Sequence, residues 1–267
     1  YIVEMDSGVH ADASAASSAI TSAGASITTT FSLSMTYLID ATADQLAAIS
    51  GVKYSADADA DSGVGLQSLS THHFRYLDNR FGISSDPASN SDVLRYEFGD
   101  WEPKYSANGK TIYLVDSGIN ASHTELANAT ISNLHSAYGS DYSDSTGHGT
   151  SMAGLMVGRN IGVARQATVK NVKLFNEASG NVTLGNVINA LDAVLADHNS
   201  GNVADVKVMC APWTTAQNNL IDSKIGELNS ANIVVVAAAG NQNDNVANYS
   251  PAGVDAIITV GAHDNDR

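Results

Sequence analysis

Three polar residues stand at places where a folded chain commonly presents reactive groups. His148 lies between two glycines, at the predicted start of a helix of small and apolar residues. Asp116 ends the apolar run 111–115, and Asn241 closely follows the run 233–238. An imidazole, a carboxylate and an amide are the groups that transfer protons and stabilise developing charge. Each residue alone also has an ordinary interpretation, as a core histidine, a turn residue or a cap.

A parallel α/β sheet would bring these residues together. Short β-branched and apolar runs predict buried strands at 111–115, 168–174, 206–210 and 233–238, and helical spacing predicts helices at 184–196 and 220–228. Strands that alternate with helices imply a parallel sheet covered on both faces. Functional groups collect at the carboxyl ends of such strands, so Asp116 and Asn241 are expected at one edge.

Composition limits the classes of function. Of the 267 residues, 43% are apolar, which suffices for a real core, and only 15% are charged. The formal net charge of −15 argues against nucleic acid as a partner, because binding phosphate backbones needs clustered Lys and Arg. No apolar run approaches the roughly 20 residues of a membrane span. The acidic balance favours solubility and an extracellular or secreted setting.

Processing signals are few. The single Cys210 excludes a disulfide within the chain, so cysteine usage says little about the compartment. The sequence starts at Tyr1 without Met and without a signal-like segment, which predicts that residues upstream have been removed or left out. No repeat of 20 to 50 residues is present.

Three motifs carry a family resemblance. Val115-Asp116-Ser117-Gly118, Gly147-His148-Gly149-Thr150 and Ala238-Ala239-Gly240-Asn241 follow one another along the chain. They resemble the successive signatures of the subtilisin-like serine protease family, nearest to its proteinase K branch. Asp116 and His148 are 32 positions apart, which is similar to the family spacing. The resemblance covers most of residues 105–267 and implies an α/β fold, a doubly wound parallel sheet with helices on both faces.

The resemblance implies a catalytic role for each polar residue. His148 would take the proton of a serine nucleophile and later return it to the leaving amine. Asp116 would hold the imidazole in one tautomer and stabilise it when charged. Asn241 would donate its side-chain amide to the developing oxyanion. No cofactor is required, no metal ligands are assigned, and calcium is the candidate structural ion, with the carbonyls of Pro251 and Gly253 as contributors.

A protein or peptide substrate would bind in this family as an added β-strand between two edges. The resemblance places Gly180 and Val182 on one edge, and Cys210 and Ala211 on the other. The family usually has Ser-Leu-Gly-Gly where this chain has Cys210-Ala211-Pro212-Trp213. Pro212 lacks an N–H, and the bulk of Trp213 replaces glycine, so primary specificity is expected to differ. Cys210 is expected to be a small buried filler.

The position of the nucleophile is a further departure. Ser151 replaces the histidine that usually follows Gly-Thr, so that residues 149–153 resemble the family's nucleophile motif. Ser151 lies three residues past His148 on one helix, however, and both side chains cannot occupy their family places at once. The family motif lies well beyond the position of Arg267. We therefore expect the serine in a C-terminal segment, or a second fragment of the polypeptide, that is absent from these 267 residues.

Residues 1–60 are predicted to form a separate domain. Strand and helix patterns in the order βαββαβ indicate a four-stranded antiparallel sheet backed by two helices. The Tyr-Ile-Val opening and the Gly51-Val52-Lys53-Tyr54 close resemble the inhibitory propeptide of subtilisin zymogens; an unrelated ferredoxin-like α+β domain is the alternative. The resemblance implies that this sheet packs on surface helices and that the tail after Asp57 enters the cleft. Residues 61–104 would be a linker and arm, with a short helix at 74–78, before the catalytic domain at 105–267.

Two classes of function stay open. The first is a serine endopeptidase zymogen of which this chain is the N-terminal part. The second is a non-catalytic relative that uses the fold as a structural or binding module in a larger assembly. The set Asp116, His148 and Asn241 favours the first, whereas the altered segment 210–213 favours the second. The presence of Gly-Thr-Ser followed by small residues further along the encoded gene would discriminate between them.

Overall fold

A computed structural model of the chain describes residues 1–59, 65–66, 107–176 and 182–262. The predicted linker and arm at 61–104 therefore lies outside the described residues, apart from 65–66, and so does the predicted helix at 74–78. In the described part, three sheets of four, three and six strands are present.

Residues 1–59 form a four-stranded antiparallel sheet with two helices, hereafter the N-terminal unit. Its elements follow the predicted order: β1 (Ile2–Met5), α1 (Ala13–Ser22), β2 (Ser26–Thr30), β3 (Thr36–Asp40), α2 (Ala43–Ala48) and β4 (Val52–Ala56). The spatial order β2-β3-β1-β4 is that of a ferredoxin-like domain. Thr42 caps the start of α2 in a reciprocal capping box with Gln45, as its residue type predicts.

Strand β1 shows how this sheet uses its two faces. Val3 and Met5 pack with Ile20 in a core between the sheet and its own helices. Ile2 instead belongs to the core of the C-terminal part. Successive side chains of a strand point to opposite faces, so one face of the sheet is internal and the other docks.

A six-stranded parallel sheet forms the centre of the C-terminal part. In spatial order its strands are β13 (Ile258–Val260), β11 (Ile233–Ala238), β9 (Lys207–Ala211), β6 (Thr111–Asp116), β8 (Thr168–Lys173) and β7 (Thr130–Ser136). Every neighbouring pair runs parallel. The carboxyl ends of β6, β9 and β11 therefore lie at one edge, as the sequence predicts.

Helices cover both faces of this sheet: α3 (His148–Val157), α4 (Leu184–Ser200) and α5 (Asn219–Ser230). Tyr113 and Val115 of β6 lie in the core shared with α4 and α5, whereas the intervening Leu114 packs with Ala153 and Val157 of α3. The alternation along β6 thus assigns α3 to one face and α4 and α5 to the other, which is the predicted doubly wound arrangement.

The N-terminal unit docks on α4 and α5. Its residues Ile2, Phe31 and Leu33 are buried in the same core as apolar residues of both helices. The main-chain N–H groups of Ser32 and Leu33 donate to Asp192 Oδ1 on α4. The contact is therefore apolar at its centre, with the Asp192 carboxylate of α4 accepting from two loop amides of the N-terminal unit.

The small third sheet lies after β9. It consists of β10 (Trp213–Ala216), with β12 (Tyr249–Ser250) on one side and β5 (Gly65–Leu66) on the other, both antiparallel to β10. The sequence patterns did not predict β7, β10 or the pairing of β5. Among the described helices, none has the length and apolar character needed to cross a membrane.

Candidate active site

Asp116 is the last residue of β6 and lies at the carboxyl edge of the sheet. Its side chain is buried, with 1% of its surface exposed, and its Oδ1 accepts the main-chain N–H of Ser117 at 2.6 Å. Gly118 follows with φ of 101°, and a Cβ there would collide with the carbonyl oxygen of Ser143. A glycine is therefore needed directly after Asp116 for the chain to turn under the loop 137–147.

His148 begins α3, and its ring contacts Asp116. The Nδ1 atom lies 2.7 Å from Oδ1 and 2.9 Å from Oδ2 of Asp116, so the expected hydrogen bond is present. The histidine side chain is 12% exposed, so one edge of the ring reaches the surface. Gly149 permits this approach, because a Cβ at that position would collide with the carbonyl oxygen of Gly118.

The electrostatics of the pair follow from burial. Burial raises the pKa of Asp116 above its ordinary value, although the hydrogen bonds from His148 and Ser117 favour the carboxylate. Removal of the Cys210 sulfur from water, together with the negative charge of Asp116 nearby, raises the pKa of the Cys210 thiol to about 12. Cys210 therefore remains a thiol near neutral pH, and it packs beside the core of Leu114 and Ala153 while being only partly buried, less than predicted.

Asp144 is a site residue that the sequence reasoning missed. Its carboxylate accepts the main-chain N–H groups of Gly147 and Thr150, at 2.9 and 2.8 Å, and so caps the first turn of α3. The hydroxyl of Thr146 also donates to Asp144, while accepting the N–H of His148 at 3.0 Å. The signal was available: Asp144 stands four residues before His148 in a loop rich in Asp, Ser and Gly.

Burial alone raises the pKa of Asp144, but hydrogen bonds from Thr150, Ser117 and Gly147 outweigh it. The pKa therefore lies below its ordinary value, and Asp144 is a carboxylate across the neutral range. An ion pair supports the same loop, since the buried Lys173 Nζ lies 2.8 Å from Asp141 Oδ2. The loop that delivers His148 is thus held by two carboxylates.

Asn241 lies where the strand pattern predicts it, just beyond β11. That strand is separated from β6 by β9 alone, and its carboxyl end lies at the edge that carries Asp116. Gly240, with φ of 100°, turns the chain immediately before it. The side chain of Asn241 is exposed, and its main-chain N–H donates to Gln242 Oε1 at 2.7 Å.

The residues predicted to form the two substrate-binding edges do not lie at strand edges in the described part of the structure. Gly180 lies outside the described residues, and Val182 is buried in the main core just before α4. Cys210 has register partners on both sides, Leu114 on β6 and Val236 on β11. A residue flanked by strands on both sides cannot offer its main chain to a substrate, so Cys210 was wrongly placed on an edge.

Ala211 is the buried last residue of β9 and pairs with Ala237 on β11. The strand that accepts an added segment is instead β10, two residues further along. Trp213 of β10 pairs antiparallel with Leu66, and Thr214 with Gly65. The side chain of Trp213 is fully buried, so the bulk that replaces glycine fills the core.

The two serines weighed as nucleophiles both have structural partners. The hydroxyl of Ser151 donates to the carbonyl of Gly147 at 2.7 Å, and Gly147 directly precedes α3. Ser250 is fully buried, and its hydroxyl accepts the N–H of Asn218 at 2.8 Å at the start of α5. Both hydroxyl groups are thus used to hold helix ends.

Within 1–59, 65–66, 107–176 and 182–262, no group of three or more His, Cys, Asp or Glu side chains could hold an ion. The carbonyl of Pro251 accepts the N–H of Val254 at 3.0 Å. Calcium binding through carbonyls therefore stays a prediction.

Comparison with known proteins gives this site a family. The family model for the subtilase family matches residues 107–267, which include Asp116, His148 and Asn241. The chain belongs to the subtilase family. A solved structure described as a cold adapted subtilisin-like serine proteinase matches with a TM-score of 0.55 at 28% identity. That match covers 62% of this chain and 59% of the other.

Curated relatives agree with this family. Proteinase R of Parengyodontium album is 28% identical over 184 residues, covering 69% of this chain and 46% of that protein. Alkaline proteinase of Hapsidospora chrysogena is 33% identical over 159 residues, covering 59% of this chain and 38% of the relative. The chain thus spans less than half the length of these two curated relatives.

Proposed function

We propose that this subtilase chain is the N-terminal part of a serine endopeptidase zymogen. The observation that carries the proposal is the hydrogen bond between Asp116 and His148 Nδ1, 2.7 Å long, at the carboxyl edge of the sheet. A buried carboxylate that accepts from Nδ1 fixes the tautomer in which Nε2 exchanges protons. Asn241, at the same edge, is proposed as the oxyanion donor.

The nucleophile is proposed to be a serine outside residues 1–267. Its oxygen would bond to the scissile carbonyl carbon as its proton passes to His148 Nε2. The imidazolium, stabilised by Asp116, would then give that proton to the leaving amine as the C–N bond breaks. Water repeats the sequence on the acyl-enzyme. The occupied hydroxyl groups of Ser151 and Ser250 support a nucleophile elsewhere.

The N-terminal unit is proposed as the inhibitory propeptide. Its support is the docking of its sheet on α4 and α5, and the two contacts made by the chain beyond β4. The carbonyl of Ala58 accepts the N–H of Gly185 at 2.9 Å, and β5 adds to β10 as an antiparallel strand, the main-chain mode by which proteases hold peptides. Purified residues 1–60 should inhibit the mature enzyme, whereas a failure to bind it would leave an unrelated ferredoxin-like domain.

No cofactor is included in the proposal, and calcium at most supports the fold. The substrate is a protein or peptide, and neither nucleic acid nor a membrane is a proposed partner. The net charge of −15 supports an extracellular or secreted location.

Labelling with a fluorophosphonate, which reacts with activated serines, tests the peptidase proposal. The full-length gene product should be labelled on a serine beyond residue 267, and the His148→Ala variant should not. Stoichiometric labelling of residues 1–267 alone would bring Ser151 back as the nucleophile. A folded full-length product that resists labelling would favour a non-catalytic subtilase, which the lack of an N–H at Pro212 already suggests.

A further inference from the structure

Lys224 of α5 is a buried charge at the boundary between the N-terminal unit and the rest of the protein. Only 1% of its side chain is exposed. Its Nζ atom lies 2.8 Å from Glu4 Oε2 and 2.8 Å from Thr36 Oγ1, and it donates to the carbonyl of Ser34 at 3.4 Å. All three partners belong to the N-terminal unit. From its own helix Lys224 has Glu227, at 3.3 Å.

Glu4, the partner carboxylate, lies on the docking face of β1. It follows Ile2 on that face, between Val3 and Met5, which point into the unit's own core. Its Oε1 accepts from Ser223 Oγ at 3.0 Å and from Lys53 Nζ at 2.9 Å. Burial alone would raise the pKa of Glu4, but Lys224, Lys53 and Ser223 outweigh it, so the pKa is lowered.

The surroundings of this pair are apolar. Ile2, Phe31 and Leu33 bury their side chains against helix residues such as Ile221 and Leu228. Contacts of this kind stabilise docking but discriminate poorly, since any apolar face of suitable shape would satisfy them. A buried ion pair adds little net stability over apolar residues of the same volume, whereas loss of one partner leaves an uncompensated charge. The loss of either charge is therefore more costly than the pair is stabilising.

We propose that Lys224 selects the domain that docks on helices α4 and α5. It accepts a β-sheet face that presents a carboxylate at the position of Glu4, and it disfavours a face that is neutral or basic there. The partner is thus an α+β domain with one acidic residue in an apolar patch. That this partner is an inhibitor rests on the proposed function; the coupling between Glu4 and Lys224 does not.

A double-mutant cycle in the full chain tests the selection. The readout is hydrogen exchange of the Ser32, Leu33 and Ser34 amides, whose acceptors Asp192 and Glu227 lie across the boundary. The Ile39 amide, which donates to the carbonyl of Tyr1 inside the unit, reports unfolding of the unit itself. A variant that opens the boundary exposes the first three amides and leaves Ile39 protected.

Glu4→Leu should raise the opening constant of the boundary by about tenfold or more, because Lys224 loses its main counter-charge. Adding Lys224→Met to Glu4→Leu should return it to within about threefold of the wild type, since an apolar pair removes the buried charge. Lys53→Met is the matched control: Lys53 also contacts Glu4, but 43% of its side chain is exposed, so a change below about threefold is expected.

Charge reversal gives a second, independent cycle. Glu4→Lys places two ammonium groups together and should open the boundary more than Glu4→Leu, and Lys224→Glu in the same chain should restore protection. The selection would be overturned if, in both cycles, the opening constant of the double variant changed by the product of the two single-variant changes, which means no coupling. A change below about twofold for Glu4→Leu would also overturn it. The cycles need no peptidase activity. If residues 1–60 inhibit the enzyme but Glu4 and Lys224 show no coupling, the selection is rejected and the inhibitor role stands. If the two residues are strongly coupled but residues 1–60 do not inhibit, the inhibitor role is rejected and the selection stands.

Discussion

The hydroxyl of Ser117 donates to Asp144 Oδ1 at 2.8 Å and accepts the N–H of Gly149 at 3.0 Å. This places one side chain between the strand that ends in Asp116 and the helix that begins with His148. Asp116 and His148 are 32 positions apart in the sequence. The contacts of Ser117 hold their two elements together in addition to the hydrogen bond between His148 Nδ1 and Asp116.

Removal of Asp144 should therefore disturb both the helix start and the chemistry. Asp144→Ala is expected to lower the free energy of unfolding by about 1–2 kcal/mol, because the first turn of α3 loses its cap. Turnover of a peptide substrate by the full-length protein should fall as well, because the ring of His148 is displaced. Denaturant unfolding and a peptide assay measure the two effects. Ser145→Ala, at the exposed neighbouring position, is the control and should change neither.

Asp116→Asn should leave the fold intact and remove most of the activity. The amide nearly matches the carboxylate in shape, but it favours the wrong tautomer of His148, and turnover should fall by roughly 10⁴. Steady-state kinetics of the full-length enzyme provide the measurement, with circular dichroism as the check on folding. A loss smaller than about tenfold would show that Asp116 does not orient His148 for catalysis.

Gly149 and Gly226 form a matched pair of helix glycines. Gly149→Ala should destabilise the protein by about 1–3 kcal/mol, because the new Cβ meets the carbonyl oxygen of Gly118. Gly226→Ala, on α5 with nothing within 4 Å of its Cβ, should stabilise it by about 0.5–1 kcal/mol. Urea unfolding of both variants distinguishes steric contact from helix propensity. Equal effects of one sign would contradict the close approach of α3 to β6.

Acid should weaken the boundary between the N-terminal unit and α5 through Glu4. The pKa of Glu4 is lowered in the docked state, so its contribution is complete above the ordinary value of 4.5 and is lost as the pH falls through the lower, docked value. Hydrogen exchange of the Leu33 amide between pH 6 and pH 3 should accelerate, after correction for intrinsic rates.

A comparison with the Glu4→Gln variant separates the effect of Glu4 titration on docking from the effects of the other charges at the boundary. Lys53, Lys224 and Glu227 lie around the carboxylate, and Asp192 has a pKa raised by burial, which acts with the opposite sign. The variant should lose the acid-dependent part that belongs to Glu4 and retain the rest. An unchanged pH profile would show that Glu4 does not titrate at the boundary.

Sequence patterns predicted most elements because burial leaves a period in the chain. The run 233–238 reads as a strand and is one, and the helical spacing from Leu184 continues to Ser200. The run 130–136 has mostly exposed or half-exposed side chains, because β7 is an edge strand, so it carries no clear pattern. Edge strands owe their position to neighbouring main chains, which local sequence does not encode.

The site divides in the same way. Asp116 and His148 lie in motifs that contain Gly118 and Gly149, where a Cβ would collide with main-chain atoms. The residue types and the spacing of these motifs therefore suffice to place the two side chains together. Cys210 was assigned to an edge by analogy, yet its strand lies between β6 and β11, and only the pairing of strands shows this. The ion pair of Glu4 and Lys224 joins residues 220 positions apart, which no local pattern could connect.

The hydrogen bond from Gly185 to the carbonyl of Ala58 holds the end of the N-terminal unit against α4. The affinity that the unit needs for its docking helices depends on whether the chain beyond this point is intact. While the polypeptide is continuous, the unit meets its docking helices at an effective concentration set by the connecting chain, independent of the protein concentration, so modest contacts keep it in place. Cleavage after Ala58 would replace that value with the actual concentration of the free unit. The same contacts could then be saturated before cleavage and largely vacant after dilution, with no change in any interatomic distance.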